Sequence, residues 1–261
     1  MSDDLTPRLD TALSRIIEYG RRLEVDELTR HRRSIHIGSA LGAAQYVQIA
    51  RELAAQLPPG ASVLDWGSGW GHNSFLLDAA GLKVTSFDVR PTYYQAWPWL
   101  FGDQSTRPLI GGADDSALPF ADGSFDAVLS CGVLEHVPDD MASLDEIQRI
   151  LRPGGLLAIY HLPNRLSWTE ALGRLLGRIA HERLYSRRGV GRLLREHGFK
   201  VELVESYHWL PRNLPTRLGL GREPGVIVRA YLGLDRLLTS LWPLKLLSTA
   251  LRVNARKETR S

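Results

Sequence analysis

A glycine-rich turn directly after a buried strand is the feature that most limits how this chain can fold. Residues 63–71 read Val-Leu-Asp-Trp-Gly-Ser-Gly-Trp-Gly, so two aliphatic residues lead to an acid and then to three alternating glycines. Gly67 and Gly69 have no Cβ, which allows unusual φ angles and lets a ligand approach the backbone closely. Residues 72–80 continue as a helix that Gly81 ends, so the turn offers backbone N–H groups to a polar ligand.

The spacing of these glycines excludes two familiar phosphate-binding turns. A dinucleotide fingerprint requires G-x-G-x-x-G, and His72 occupies the position of its third glycine. A P-loop requires a final Gly-Lys-Ser/Thr, which the sequence lacks. The pattern here, D-x-G-x-G-x-G, resembles the first motif of class I S-adenosylmethionine (SAM) methyltransferases. Taken alone, it is also compatible with an ordinary strand-to-helix turn, because glycine is common in turns.

Further segments strengthen the resemblance, and they occur in the order in which that family has them. Residues 83–88 predict a second strand that ends in an acid beside the first turn, where a carboxylate can accept from both ribose hydroxyls. Residues 113–120 and 124–128 resemble the family's D-A-x-x-L-P-F and F-D-x-V segments, and residues 151–155 match its L-R-P-G-G. The chain is therefore identified by resemblance as a class I SAM-dependent methyltransferase, of the broad group similar to ubiquinone and menaquinone biosynthesis enzymes (methyltransferase type 11).

Alternating strands and helices in the core predict a parallel sheet with helices on both faces. The fold class we expect is α/β: a Rossmann-like, seven-stranded, mostly parallel sheet with an antiparallel last strand, an N-terminal helical cap and a helical lid insertion. The predicted strands are 62–66, 83–88, 108–112, 124–131, 156–161, 199–207 and 249–255. Roughly 40 residues separate the last two strands, where the family usually has a short turn, and this marks an insertion.

The chain divides into three parts by composition and pattern. We assign residues 1–58 to the helical cap, 59–163 to the SAM-binding core, and 164–261 to lid helices and the last strands of the same domain. A basic segment within the cap, residues 31–38, could place an arginine on the methionine carboxylate or on an anionic acceptor. It could equally be a solvated turn, since charged runs usually face water.

Composition limits the partners. One cysteine excludes an internal disulfide and a multi-cysteine metal site. The formal net charge of +3 comes with arginines spread along the chain, and there is no RNA-binding motif or lysine-rich block, so we expect no nucleic-acid partner. The acidic N-terminus is not a signal peptide and no apolar run reaches 18 residues. The expected location is cytoplasmic, and the sequence does not define an oligomeric state.

The resemblance implies roles for the residues around the glycine turn, with SAM as the cofactor. Gly67 and Gly69 would form the backbone floor under the methionine moiety, and Asp65 would shape the turn. Asp88 would bind the ribose hydroxyls, and Val89 would pack on the adenine.

The same resemblance implies roles for three residues farther along the chain. Asp114 would accept from the adenine amino group, and Asp115 would offer its backbone N–H to the ring, although the roles of these two acids could be exchanged. Cys131 would contribute its backbone carbonyl to the SAM amino group, with no thiol chemistry. Acids or small residues at or just after strand ends agree with ligand binding beyond the carboxyl edge of a parallel sheet.

Two histidines are candidate general bases, since a neutral imidazole is available near pH 7. His136 belongs to residues 132–137, which resemble the L-E-H-V segment on the acceptor side of ubiquinone-type O-methyltransferases, and it could instead order that turn. His161 ends the fifth strand and could instead be a hydrogen-bonded structural histidine. Some related O-methyltransferases complete a metal site with an acid three residues before the Glu-His pair. That position is Gly132 here, and we therefore predict no metal.

The predicted activity is methyl transfer from SAM to a small-molecule or lipid-linked acceptor, at oxygen. The alternatives are a SAM-binding protein without methyl transfer, or a methyltransferase acting on protein or nucleic acid. Residues 164–248 mix leucines and tryptophans with arginines. Such a region can fold back as a lid over the site, or it can lie on an anionic membrane surface with its arginine stems extended.

Overall fold

The structure is a computed structural model that describes residues 2–25, 36–89, 95–102, 109–112, 114, 116–178, 180–211 and 225–259. Its helices in these ranges are α1 Ser2–Val25, α2 Ala40–Gln56, α3 His72–Ala79, α4 Trp97–Phe101, α5 Asp140–Ile150, α6 Trp168–Leu175, α7 Arg187–Glu196 and α8 Val226–Ser240. Its strands are β1 Ser62–Trp66, β2 Lys83–Asp88, β3 Leu109–Gly111, β4 Phe125–Cys131, β5 Leu151–Pro163, β6 Phe199–Tyr207 and β7 Ala250–Lys257.

The seven strands form one sheet in the order β3-β2-β1-β4-β5-β7-β6. β1 pairs in parallel with β2 and with β4, whereas β7 runs antiparallel to both β5 and β6. The strand order therefore reverses direction between β1 and β4, and sheets of this type bind ligands at the carboxyl ends of the strands beside that reversal. The predicted fold class is confirmed, including the antiparallel last strand.

The fifth strand begins earlier than the sequence predicted. The Leu-Arg-Pro-Gly-Gly segment was expected to precede the strand, yet β5 starts at Leu151, which pairs with Phe125. The register shifts immediately afterwards, and regular pairing resumes between Ala127 and Leu156. Pairing across this irregularity extends the strand toward α5, so the motif is the beginning of β5 rather than the loop before it.

Polar side chains cap the N-termini of two helices. The Asp139 carboxylate accepts from the backbone N–H groups of Met141 and Ala142 at the start of α5, and Ser186 accepts from Gly189 at the start of α7. Each cap satisfies a backbone N–H that has no partner within the helix. These two caps fix where helices begin on the face of the sheet opposite the N-terminal helices.

Two apolar cores cover the two faces of the sheet. The first contains the buried sides of α1, α2 and α3 against Val63 and Leu129, and the second contains α5 and α7 against Leu64 and Val128. Neighbouring residues of one strand thus enter opposite cores, as the two-residue period of a strand requires. α1 and α2 bury apolar side chains in the first core, among them Leu9 and Leu53.

Residues 208–249 form the insertion between β6 and β7, of which the structure describes 208–211 and 225–249. Within it, α8 is attached through one face: Val228 is buried, and the buried Asp235 accepts from the backbone N–H of Leu210 at 2.7 Å. The opposite face of α8 is exposed. None of the described helices combines the length and the apolar character that crossing a bilayer requires.

Candidate functional site

The glycine turn between β1 and α3 has the backbone that its sequence predicted. Gly67, Gly69 and Gly71 have φ angles of 73°, 49° and 77°, in the left-handed region that residues with a Cβ rarely adopt. A Cβ at Gly67 would clash with the Val133 side chain, and one at Gly71 would lie 2.8 Å from Trp97. At Gly69 the nearest atom would be 3.9 Å away, so a Cβ there would clash with no described residue, and the positive φ is what favours glycine.

Asp65 connects the end of β1 to α3. Its carboxylate accepts from the Ser74 hydroxyl at 2.5 Å, and that hydroxyl lies 2.7 Å from the hydroxyl of Ser86 on β2. Burial raises the pKa of Asp65 to about 7, because the low-dielectric interior disfavours the charged form, and the neighbouring Asp88 acts in the same direction. The predicted role of Asp65 in shaping the turn is consistent with these contacts.

Asp88 ends β2 and lies against the turn. Its carboxylate accepts from the backbone N–H of Gly69 at 2.7 Å, so the acid and the glycine floor are held together directly. Val89 follows it, half-buried against the second core. The structure thus brings Asp65, Gly67, Gly69, Asp88 and Val89 to one edge of the sheet, as the sequence indicated, and their contacts with a cofactor stay predictions.

The third group of predicted cofactor residues is only partly described. Asp114 is exposed, and its carboxylate accepts from the backbone N–H and the hydroxyl of Ser116, which lowers its pKa. Asp115 lies outside the described residues, as do residues 31–35 of the basic segment in the cap. Cys131 is the last residue of β4, half-buried against the first core, at the same edge of the sheet as Asp65.

Buried polar atoms around this edge indicate that it is built for a polar ligand. Within the described part of the chain, Asp65 Oδ1, Ser68 Oγ and Ser130 Oγ are buried and have no hydrogen-bond partner. Such groups carry a free-energy cost unless a partner is supplied. A ligand that carries hydroxyl and amino groups could supply partners for them at the carboxyl ends of β1 and β4.

Side chains from α1 and α4 hydrogen-bond to backbone carbonyl groups of the glycine turn. The Tyr19 hydroxyl on α1 donates to the Trp70 carbonyl at 3.0 Å, and the Trp97 indole donates to the Gly69 carbonyl at 3.1 Å. Trp97 is thus part of the turn's support, and Arg22 lies 4.1 Å over the ring of Trp99. Trp168 and Trp209 stack on each other with ring centroids 5.2 Å apart.

The segment after β4 carries the first candidate base. Glu135 is buried, whereas 57% of the His136 side chain is exposed, and the two side chains lie 3.9 Å apart. Arg183 donates to the carbonyl of Val137 at 2.8 Å and to that of Pro138 at 3.1 Å. Because Arg183 is distant in sequence, this anchoring of the candidate segment could not be inferred from the residues around it.

His161, the second candidate base, occupies an irregular point of β5. Its φ angle is 60°, unusual for a residue with a Cβ, and it falls where the pairing of β5 with β7 shifts register. The Tyr207 hydroxyl accepts from the His161 backbone N–H at 2.7 Å and lies 2.6 Å from its Nδ1. A buried histidine held this firmly suits proton transfer or ligand orientation, and strained backbone concentrates at such sites.

A third histidine, missed by the sequence analysis, approaches His136. One ligand atom from each of Glu135, His136 and His181 lies within 4.8 Å of the others. The buried Glu170 on α6 lies 2.7 Å from Nδ1 of His181. His181 lies in the connection between α6 and α7, where no motif marked it.

Comparison with known proteins agrees with this architecture. Residues 64–159 match the methyltransferase domain family. The chain is 32% identical over 165 residues to the O-methyltransferase resE of Aspergillus sclerotiorum, covering 59% of this chain and 61% of that protein. It is 31% identical over 172 residues to a 2-methyl-6-phytyl-1,4-hydroquinone methyltransferase of Synechocystis, covering 62% and 54%.

Among solved structures, a SAM-dependent methyltransferase of Methanosarcina mazei shares the fold, with a TM-score of 0.56 and 17% identity over 80% of this chain and 98% of that one. The chain spans about half the length of the curated relatives that it matches, from 44% to 61%. The family match lies on the elements that build the glycine turn and the ends of β2 and β4. Residues 64–159 therefore match the methyltransferase domain family, and the chain shares the fold of a SAM-dependent methyltransferase.

Proposed function

We propose that this chain transfers the methyl group of SAM to an oxygen of a lipid-linked acceptor at an anionic membrane surface. The observation that carries the proposal is the position of its exposed apolar side chains. Among the residues whose side chains are described, every exposed large hydrophobic except Met141 lies between residues 166 and 247. They are Leu166, Leu172, Leu175, Leu176, Val226, Ile227, Leu234, Leu237, Leu241, Trp242 and Leu247.

α8 shows how this region can be both a lid and a contact surface. Its inner face is held by Val228 and Asp235, as described above, and by the Tyr231 hydroxyl, which donates to the Pro211 carbonyl at 2.7 Å. Its outer face leaves Ile227, Leu234 and Leu237 exposed. A helix fixed on one side and apolar on the other is typical of an interaction surface, since soluble proteins rarely expose large contiguous apolar areas.

Arginines accompany the apolar residues. Arg174, Arg178, Arg187, Arg188, Arg229 and Arg236 are all exposed in this part of the chain. A cavity of about 730 Å³ is lined both by Leu166, Trp242 and Leu246 and by Arg187, Arg188 and Arg195. Apolar walls beside guanidinium groups suit an amphiphile with an anionic head, because arginine pairs with phosphate oxygens in a two-point geometry.

Methyl transfer from SAM requires the protein mainly to position the cofactor and the acceptor. SAM supplies an already activated methyl group on its sulfonium. The glycine turn and Asp88 would hold the cofactor, and orientation of the acceptor can contribute ~7–11 kcal/mol toward lowering the barrier. His161 or His136 would accept the proton of an acceptor hydroxyl. The two relatives compared above, one named for O-methyl transfer and one for a phytyl hydroquinone, support an oxygen and an apolar acceptor.

Membrane binding is tested by sedimentation with phosphatidylglycerol vesicles. We expect the protein to sediment at low salt and to be released at high salt, because each basic residue near an anionic surface contributes ~1 kcal/mol that salt screens. The double variant Leu234→Gln, Leu237→Gln should bind less. Met141→Gln is the matched control, because Met141 is also an exposed apolar residue but lies outside the region.

Transfer itself is followed with SAM labelled in the methyl group and a lipid extract. Label recovered in the organic phase indicates a methylated lipid; if it resists alkaline hydrolysis and is released as methyl iodide by hydriodic acid, the methyl group is on an ether oxygen and not on an ester or on carbon. Protein that stays in the supernatant at low salt, with label only in the aqueous phase, would instead favour a lid over a soluble acceptor. No label in either phase would favour a SAM-binding protein without transfer.

A further inference from the structure

We infer that Glu135, His136 and His181 form a binding site for one divalent zinc-type metal ion on the acceptor side of the cleft. The inference rests on these side chains and their neighbours, and it does not require the proposed acceptor. It departs from the sequence-based prediction of no metal, which considered only position 132.

The three side chains converge from two separate parts of the chain. One ligand atom from each lies within 4.8 Å of the others, and the rings of His136 and His181 are 5.9 Å apart between centroids. Ligand atoms on a tetrahedral zinc ion are about 3.4 Å apart, because its bonds to nitrogen and oxygen are ~2.0–2.2 Å. The His136 side chain is 57% exposed and can rotate toward the other two ligands, while Glu135 is buried and His181 is held by Glu170.

Glu170 provides the second observation. Its buried carboxylate lies 2.7 Å from His181 Nδ1, so it orients the imidazole and leaves Nε2 as the metal-binding nitrogen. Histidines that bind metals usually donate their other ring N–H to a carboxylate or carbonyl in this way. Glu170 lies on α6, and its burial is otherwise unexpected for a carboxylate on a helix whose apolar side chains are exposed.

The backbone of the site is held by neighbouring residues. Arg183, two residues after His181, donates to the carbonyl groups of Val137 and Pro138 that follow His136. Tyr185 donates to the Asp140 carboxylate at 2.8 Å, on the same side. These contacts fasten the segment that carries His181 to the segment that carries Glu135 and His136, so the ligands do not depend on a loose loop for their spacing.

The ligand set selects the ion. Two imidazoles and one carboxylate, with a further position left for water or substrate, are typical of catalytic zinc. Magnesium prefers oxygen ligands in octahedral geometry and would be bound poorly by two histidines. The glycine at 132 therefore removes one oxygen ligand without preventing a nitrogen-rich site, since His181 supplies the third group.

The location connects the site with the acceptor. Val133, two residues before Glu135, packs directly against Gly67 of the glycine turn. A zinc ion at Glu135, His136 and His181 would lie beside the cofactor end of the cleft, where it could bind an acceptor oxygen and lower the pKa of its hydroxyl. His136 would then be a metal ligand, and His161 would be the remaining candidate base.

Zinc binding to the full chain tests the inference without any acceptor. The protein is stripped with a chelator, and zinc is titrated in competition with a chromophoric chelator. We expect the wild type to bind one zinc ion per chain and the His136→Ala and His181→Ala variants to bind none. Glu170→Gln should bind zinc 10–100-fold more weakly, which is the usual effect of removing a residue that orients a metal ligand. Zinc should also raise the melting temperature, reversibly with chelator, and magnesium should not.

His197→Ala is the control, because His197 pairs with Asp145 at 2.6 Å and is not one of the three ligands. It should bind zinc like the wild type. His136 is exposed enough that its removal should leave the fold intact, which the melting temperature without metal verifies. The inference is overturned if the stripped wild type binds no zinc, or if His136→Ala, His181→Ala and Glu170→Gln all retain wild-type affinity. SAM binding measured on the same samples reports the cofactor site separately.

Discussion

Two regions of this molecule differ in which side chains they bury: the glycine turn buries polar side chains, and residues 166–247 expose apolar ones. Around the glycine turn, acids and hydroxyls are buried: Asp65, Ser68, Asp88 and Ser130 all lie inside. Between residues 166 and 247, leucines and a tryptophan are outside, and Trp242 is 78% exposed. Both arrangements cost free energy in water and both therefore indicate a partner, polar for the first region and apolar for the second.

The two regions also differ in how they are held. Two of the contacts that fix the turn join residues 9 and 19 positions apart in sequence, Asp65 with Ser74 and Gly69 with Asp88. The C-terminal region is fixed by contacts between residues far apart in sequence, such as those of Asn164 with the carbonyl groups of Leu246 and Ser248. The region around the glycine turn should therefore tolerate few changes, whereas the outer surface of the second region should tolerate many.

The largest effect we expect comes from Gly67→Ala. A non-glycine residue at positive φ costs ~1–2 kcal/mol, and the clash with Val133 adds ~1–3 kcal/mol of overpacking. The free energy of unfolding, measured in urea, should fall by the sum, and SAM affinity should fall with it.

Gly154→Ala separates the two causes. Gly154 has a φ of 74°, almost equal to that of Gly67, but a Cβ there would meet nothing within 4 Å. The free energy of unfolding of the Gly154→Ala variant should therefore fall only by the cost of placing a residue with a Cβ at positive φ. Adding Val133→Ala to Gly67→Ala should restore part of the stability by making room. Equal losses in the Gly67 and Gly154 variants would show that close approach plays no part at the turn.

A smaller effect is expected at Asp88. Asp88→Ala removes the acceptor for the Gly69 N–H and the predicted acceptor for the ribose hydroxyls, so SAM should bind ~1.5–3 kcal/mol more weakly by calorimetry. Asp114→Ala should weaken SAM binding less, because Asp114 is exposed and contacts only the neighbouring Ser116 among the bonds described above. Unchanged affinity in the Asp88 variant would contradict its assignment to the cofactor.

The same contrast explains what the sequence could predict. The turn and the acids at the ends of β1 and β2 were predicted from residues close to them in sequence, and the structure has them where they were expected. The predicted start of the fifth strand at residue 156 was wrong, because pairing between Leu151 and Phe125 of another strand extends β5 to Leu151.

Long-range features had no local signal. Arg183 fastens the segment that carries His181 to the carbonyl groups of Val137 and Pro138, which follow His136. Tyr207 on β6 reaches His161 on β5 across the intervening β7. The division of α8 into an attached and an exposed face likewise depends on Asp235 meeting the chain after β6. Alternating leucine and arginine indicated an amphipathic region but not which face would be outside.

The smallest effect concerns how the region around the glycine turn responds to pH, and it involves two buried groups with opposite shifts. Burial raises the pKa of Asp65 to about 7 and lowers the pKa of His72 to about 4. The stability linked to Asp65 is present in full below its unfolded pKa near 3.8 and is lost as the pH rises to 7. The stability linked to His72 is present above its unfolded pKa of 6.5 and is lost as the pH falls to 4.

Between pH 4 and 6.5 the contributions of Asp65 and His72 to stability change in opposite directions with pH. Substituting one of the two residues should therefore expose the pH dependence that the other causes. Relative to the wild type, Asp65→Asn should gain stability as the pH rises over this range, and His72→Phe should gain as it falls, each by ~1–2 kcal/mol. Phenylalanine is a fair replacement because His72 packs edge-on against Tyr46, with ring centroids 4.2 Å apart. Urea unfolding at about pH 4.5, 5.2 and 6.0, roughly half a unit or more inside the two limits, measures both differences. Parallel pH profiles for the two variants and the wild type would mean that neither group is as buried as the fold around the turn requires.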